Sequence, residues 1–247
     1  MKKGQATTFI ILALVLVIGI ITYFTFKNQS QKTFSQETDT IESFINQCLK
    51  NTAEEQINLI AIQGGEYRPS SYKSYLSYKI PYYSNGSDTN IPKITNIEGD
   101  ISKAIKDNLP NCINNFDIFS NKGYQIEQKQ ITPITNIKDD EITIKLAYPI
   151  SITKDEQSTT LESFQTTIIS DLNKSHNIAT RLLKEQENAP EWFPLSFISE
   201  LAYNEGFYFE TVDLDNDELL ITIIFNKDSE QQSIYAFINK YNRSEDE

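Results

Sequence analysis

The chain is poor in the residues that do chemistry. Its 247 residues include one His, two Cys, one Met and one Trp. Two Cys and one His fall short of the ligand set of a structural zinc site. No glycine-rich phosphate loop, no dinucleotide-binding glycine pattern and no zinc-binding helix motif occurs. The residues therefore predict no catalytic centre, no metal and no cofactor. Positive charge is scarce too: 22 Lys+Arg stand against 34 Asp+Glu, a net charge of −12. An acidic surface repels phosphates, so nucleic acid is excluded as a partner. What remains is enough to fold, since 39% of residues are hydrophobic and 11% aromatic, which argues against wholesale disorder. The length suits one ordinary domain, or two small ones, together with an anchor.

The longest hydrophobic stretch is Phe9 to Phe26, uncharged and mostly apolar. As a helix it rises about 27 Å, and about 31 Å with Ala6 to Thr8, near the thickness of a bilayer's hydrocarbon core. It is longer than the apolar part of a secretory signal and has no small-residue cleavage site behind it. Tyr23, Phe24, Phe26 and Lys27 end it, a composition suited to the membrane–water boundary. The expectation is a retained single-pass anchor holding lipid through Phe9–Phe26. A removed leader or a buried core helix is the alternative. Lys2 and Lys3 precede the span, so the N-terminus is expected in the cytoplasm and the acidic bulk outside, at the cell surface.

Lys2-Lys3-Gly4-Gln5-Ala6-Thr7-Thr8-Phe9 resembles the class III signal of archaeal pilins and archaellins, the type IV pilin-like proteins. The resemblance implies a prepilin-type peptidase that cuts between Gly4 and Gln5, making Gln5 the first residue of a long helix. Thr7 stands in for the common Ser. Phe9 departs from the pattern, because many pilins carry there a Glu that pairs with a neighbouring subunit's amine, whereas archaellins generally lack it. A plain signal anchor with a chance Lys-Gly-Gln is the other reading.

Residues 28–40 are polar and read as a stalk. Ile41, Phe44, Ile45, Cys48, Leu49, Ala53, Ile57, Ile60 and Ala61 then recur at helical spacing. Asp39 is a candidate cap and Gly64-Gly65 a stop. Unbroken from Gln5 to Gln63, the helix would be about 88 Å long, and a break between residues 28 and 38 is equally allowed. Six tyrosines fall between Tyr67 and Gly86. With the Asn85-Gly86 turn signal they read as a half-buried hairpin, the alternative being an adhesive patch. Thr95-Asn96-Ile97-Glu98 matches a capping box before a helical stripe of Ile97, Ile101, Ala104, Ile105 and Leu109, which Pro110 and Asn111 end or bend.

From Tyr124 the period becomes two, most plainly at Ile142, Ile144, Leu146 and Tyr148. Ser163–Ile169 reads as a strand, Leu172–Gln186 and Pro194–Asn204 as helices, and Phe207–Leu214, Leu219–Phe225 and Ser233–Asn239 as closing strands. The expected fold is α+β: a long N-terminal transmembrane helix, then an extracytoplasmic domain of antiparallel sheet and short packed helices. Its divisions are a leader at 1–4, the helix at 5–27, the stalk at 28–40, a disulfide-bridged helix–hairpin–helix region at 41–123, antiparallel β with helices at 124–242, and a frayed tail at 243–247.

Cys48 and Cys112 are the only cysteines. In an exported domain an even count reads as a disulfide, here one that pins the second helix to the first. Two buried thiols that never meet are the alternative. The order Ile41-Glu42-Ser43-Phe44-Ile45-Asn46-Gln47-Cys48-Leu49, then Gly64-Gly65, then Asn108-Leu109-Pro110-Asn111-Cys112 is similar to that of a group of uncharacterised archaeal single-pass surface proteins, a likeness that implies neither an activity nor site residues.

His176 lies in an expected helix without a nucleophile partner. Asp213 to Glu218 invites a calcium reading, but an EF-hand loop needs Gly at Glu218 and Glu at Ile224, so a solvated turn is expected. Asn28, Asn85, Asn173 and Asn242 head Asn-x-Ser sequons, candidates for glycosylation. These readings converge on a non-enzymatic, membrane-anchored surface protein of pilin type, a filament subunit whose partners would be identical subunits or other pilin-like proteins. The alternative is a non-polymerising anchored binding or adhesion module.

Overall fold

The computed structural model describes residues 3–85, 88–188, 190–214, 217–229 and 231–241, with side chains from residue 14 onward except 26, 28–33, 35 and 88. In order the elements are α1 (Lys3–Ile62), β1 (Tyr72–Tyr75), β2 (Tyr78–Asn85), β3 (Asp88–Thr89), α2 (Ile94–Ile113), α3 (Asp117–Ser120), β4 (Gln125–Gln128), β5 (Thr132–Ile137), β6 (Glu141–Lys154) and β7 (Gln157–Ile169), followed by α4 (Leu172–Gln186), α5 (Leu195–Glu205), β8 (Tyr208–Leu214), β9 (Glu218–Phe225) and β10 (Ser233–Lys240).

α1 runs without a break for 60 residues, about 90 Å. Asp39 therefore caps nothing. The helix ends where expected: the Gly64 N–H donates to Ala61 O at 3.0 Å and the Gly65 N–H to Ile60 O at 2.8 Å, with Gly64 at φ +55°. This is the paired-carbonyl C-cap that glycine reaches without steric cost. The second half of α1 buries Ile41, Ile45, Leu49, Ala53, Ile57 and Ile60. That stripe lies against α2, β7 and β10. α2 answers with Ile97, Ile101, Ala104, Ile105, Leu109 and Ile113.

α2 departs from its expected start and end. No side chain caps it at Lys93. Instead Glu98 Oε1 accepts the Ile137 N–H at 2.9 Å. Pro110 lies inside the last turns, and the helix stops at Asn114, the first of three consecutive residues with positive φ.

Two corrections to the expected fold follow. Among the described residues no helix is long and apolar enough to cross a membrane, which overturns the transmembrane helix and the single-pass location with the bulk of the chain outside. From Lys27 onward α1 carries the polar residues Lys27, Asn28, Gln29, Ser30 and Gln31, which a hydrocarbon core does not favour. Nor is there one antiparallel sheet. β1-β2-β10-β9-β8, with β3 on β2, form one sheet, and β4 and β5 flank β6 opposite β7 in another. In the first, β2 runs parallel to β10, pairing at Ile238↔Tyr82, Asn239↔Ser84 and Lys240↔Asn85. Parallel neighbours need a long connection, and here it runs from the end of β2 at Asn85 to the start of β10 at Ser233, more than half of the chain.

Candidate functional site

Three features of the body stand out, and α1 links them. The first is its N-terminal apolar segment. Leu14, Val15, Leu16, Val17, Ile18, Ile20, Ile21, Tyr23 and Phe24 are each 51–64% exposed. They occupy every side of the helix, so no rotation hides them. A helix that is hydrophobic all round is a buried helix, and monomeric proteins rarely leave apolar patches beyond roughly 300–600 Å² bare.

The second is the place where α1 joins the body. The Tyr124 hydroxyl donates to the Glu37 carboxylate. Lys154 Nζ donates to Glu37 Oε2 at 3.0 Å and lies 4.4 Å from the Tyr124 ring centroid. The Tyr124 hydrogen bond, followed by that from Lys154, holds the Glu37 carboxyl below the ordinary carboxylate range. One helical turn further, Ile41 is the first fully buried residue of the stripe. Beyond it Cys48 and Cys112 form a disulfide, with Cα atoms 5.7 Å apart and a sequence separation of 64. Cys48 is buried and Cys112 exposed. An aromatic cluster continues the contact, with Phe44 5.3 Å from Phe119 and 6.3 Å from Phe116 between ring centroids.

The third is a cleft of about 530 Å³ where the ends of the two sheets meet α1. Lys50, Glu54, Ile57 and Asn58 come from α1, Thr167 to Ile169 from the end of β7, and Ser233 from the start of β10. Asn226, Gln231 and Gln232 close it from the turn before β10. Amides and hydroxyls dominate the walls. The charges balance locally: Lys50 is 3.8 Å from Glu54, and Asp171 accepts from Lys174 Nζ at 2.8 Å and from Asn226 Nδ2 at 3.2 Å. No motif announces this cleft in the sequence, because its residues come from four separated segments.

His176 is not at any of these places. The residue is 9% exposed, with Nε2 2.7 Å from Pro92 O. A carbonyl only accepts, so Nε2 carries the hydrogen, and Nδ1 is buried without a partner among the described residues. Burial lowers the pKa, with the Pro92 hydrogen bond opposing. The folded protein thus holds its proton less tightly than the unfolded chain does. Below about pH 6.5, the ordinary histidine value, the unfolded state takes up more protons and stability falls as pH falls. Glu66, raised first by burial and then by Asp100, acts with the opposite sign. Urea midpoints between pH 7 and pH 5 should therefore fall less in His176→Gln than in the wild type, since only the histidine contribution differs. An unchanged slope would remove His176 from the acid response.

The sequence-predicted sites scatter. Gly4 and Gln5 lie in the first turns of α1, and their side chains, like that of Asn28, lie outside those described. Asn85 is exposed at the end of β2. The Asn173 amide donates to Asp139 Oδ1 at 3.3 Å, and Ser175, the hydroxyl of that sequon, is fully buried. Asn242, the 243–247 tail and the leader residues 1–2 lie outside the described residues. In the acidic turn, Glu218 is buried and accepts from Lys73 Nζ at 2.7 Å and from the Tyr82 hydroxyl at 3.0 Å, tying β9 to β1 and β2. No group of three or more His, Cys, Asp or Glu is placed to hold a metal among the described residues. Compared with known proteins, the chain matches no family model, no curated protein and no solved structure.

Proposed function

We propose that this protein is a non-enzymatic structural subunit of pilin type that assembles with identical subunits through the N-terminal part of α1. The observation that carries this reading is the run of nine large apolar side chains between Leu14 and Phe24, bare on all sides of a helix that stands clear of the body. Burying such a surface against neighbouring helices releases roughly 25 cal/mol for each Å² removed from water. The clamp at Glu37 and the disulfide support the reading, because they fix the angle at which the helix leaves the body. The class III-like start supports it too, with Gln5 as the first residue after trimming at Gly4.

The test uses the full chain in detergent-free buffer. Analytical ultracentrifugation and negative-stain electron microscopy are expected to show large assemblies, filaments among them. Leu16→Lys with Ile20→Lys should return the protein to monomers while leaving its thermal unfolding unchanged. A wild-type chain that stays monomeric at all concentrations, or that partitions as a monomer into lipid vesicles, would overturn the reading.

A further inference from the structure

Charge is segregated in two stretches of this chain, and the same two stretches carry most of the exposed apolar surface of the body. Between Glu66 and Asp88 there is no acidic residue, only Arg68, Lys73 and Lys79, in a chain of net charge −12. From residue 185 to residue 226 there is no Lys or Arg but ten Asp or Glu. Beyond α1, eleven large apolar side chains are exposed among the described residues, and eight of them fall in these stretches. Tyr72, Leu76 and Tyr78 lie in the first, and Trp192, Leu195, Tyr203, Tyr208 and Val212 in the second. Apolar side chains scattered singly over a surface need no explanation, whereas grouped ones mark contacts.

The first stretch holds the β1–β2 hairpin. Tyr75 and Tyr78 pair across its turn, whose central residues, Leu76 and Ser77, have φ +45° and +72°. Such turns favour Asn and Gly, because a Cβ is crowded at positive φ. The strained turn presents Leu76 to solvent, 77% exposed, and strain of this kind gathers at functional contacts. Arg68 and Lys73 are paired with Asp107 and Glu218. Lys79 is exposed, 4.9 Å from the Tyr72 ring centroid.

The second stretch holds α5 and β8. Leu195, Ser199 and Tyr203 form one row along α5. Gly206 then turns the chain into β8, where Tyr208 and Val212 share a face. Glu205 and Glu210 are paired with Arg181 and Lys227, while Glu200 and Asp213 are exposed. β1 and β8 end the strand order β1-β2-β10-β9-β8. The basic apolar tip and the acidic apolar surface therefore occupy opposite edges of one sheet.

We infer that the β1–β2 tip of one copy of this chain docks on the α5–β8 surface of the next, with Leu76 meeting Tyr203, Tyr208 and Val212 and Lys79 facing Glu200 and Asp213. This contact rests on the reading that the chain assembles with itself, and adds a contact between bodies to the one between α1 segments. Two acidic bodies repel where like surfaces meet, over a screening length of about 8 Å at physiological salt. A body-to-body contact is favoured where one side brings no carboxylate, and the hairpin is such a side. Donor and acceptor surfaces differ, so the contact is head-to-tail and repeats from copy to copy instead of closing on a two-fold dimer. A filament requires an open series of that kind.

The test uses the full chain at a concentration where it assembles. Unlabelled and 15N-labelled protein are mixed before assembly, and a carbodiimide then couples touching amines and carboxylates. Mass spectrometry should find Lys79 joined to Glu200 or Asp213 in peptide pairs of mixed isotope, the mark of a link between copies. Leu76→Asn with Ser77→Gly gives the turn the residues it favours and removes the apolar tip. The melting temperature of this double variant should equal or exceed that of the wild type, while the concentration at which assemblies appear should rise tenfold or more. A merely structural role for the tip would move stability and assembly in the same direction. Lys79→Glu should also weaken assembly, and Glu200→Lys with Asp213→Lys in the same chain should restore it. A wild type that never assembles sinks this contact together with self-assembly through α1. A wild type that assembles, but whose turn variant does so at the same concentration or whose mixed-isotope links avoid residues 185–226, overturns the hairpin contact alone.

Discussion

Replacing Cys48 and Cys112 together with Ser is expected to lower the stability of the body by about 4 kcal/mol. The bond closes a loop spanning 64 residues of sequence, and in the chain-entropy account a loop of that size restricts the unfolded chain by about 4 kcal/mol at room temperature. For a body of this size the loss corresponds to a fall in melting temperature of roughly 8–16 °C. The Ser variants should still fold, because the buried stripes of α1 and α2 meet whether or not the bond is present. Reductant should reproduce the shift in the wild type, since Cys112 is exposed. Calorimetry with and without reductant measures both. A shift under 2 °C would mean that packing alone determines the pairing of the two helices. The bond also forms and persists only where the surroundings are oxidising, so the same experiment measures how much the fold depends on its compartment.

Gly64→Ala is expected to cost about 3 kcal/mol, for two reasons that add. Gly64 holds φ +55°, a left-handed conformation that costs other residues roughly 1–2 kcal/mol. A Cβ there would also lie 2.7 Å from Pro81 Cγ and 3.0 Å from Ala236 O. Neither the proline ring nor a strand carbonyl yields easily, and overpacking of this kind typically costs about 1–3 kcal/mol. The same residue accepts the Tyr83 hydroxyl at its carbonyl, at 2.6 Å, while Tyr83 and Tyr235 share a further buried hydroxyl contact. Moving Gly64 would therefore disturb the junction of α1, β2 and β10 together. A denaturant midpoint within error of the wild type would show that the helix end shifts freely, contrary to the packing.

Local signals and long-range decisions separate cleanly in this protein. The stripe from Ile41 to Ala61 and that from Ile97 to Leu109 are legible because a 3.6-residue period is written in consecutive residues and does not depend on the partner. Leu172–Gln186 and the strands ending the chain are legible for the same reason. Signals that side chains answer elsewhere mislead. Thr95 to Glu98 has the spacing of a capping box, yet the Glu98 carboxylate serves the Ile137 N–H on β5. Asp39 has the chemistry of a cap, but the hydrogen bonding of α1 simply runs through it. Composition likewise suggests a membrane span, whereas among the described residues no helix is long and apolar enough to cross one.

The helix stripes, the glycine stop after α1, the acidic balance and the poverty of catalytic residues can all be read in the chain before it folds. Each of these is a property of neighbouring positions or of composition. The folded arrangement alone sets β2 parallel to β10, buries Glu218 against Lys73 and opens a cleft where the end of β7 and the start of β10 meet α1. The physical reason is that these depend on which distant backbone groups find partners. Hydrogen bonding across a gap of a hundred residues leaves no period in the chain, and it is settled only when the core of α1 and α2 fixes where each sheet must lie.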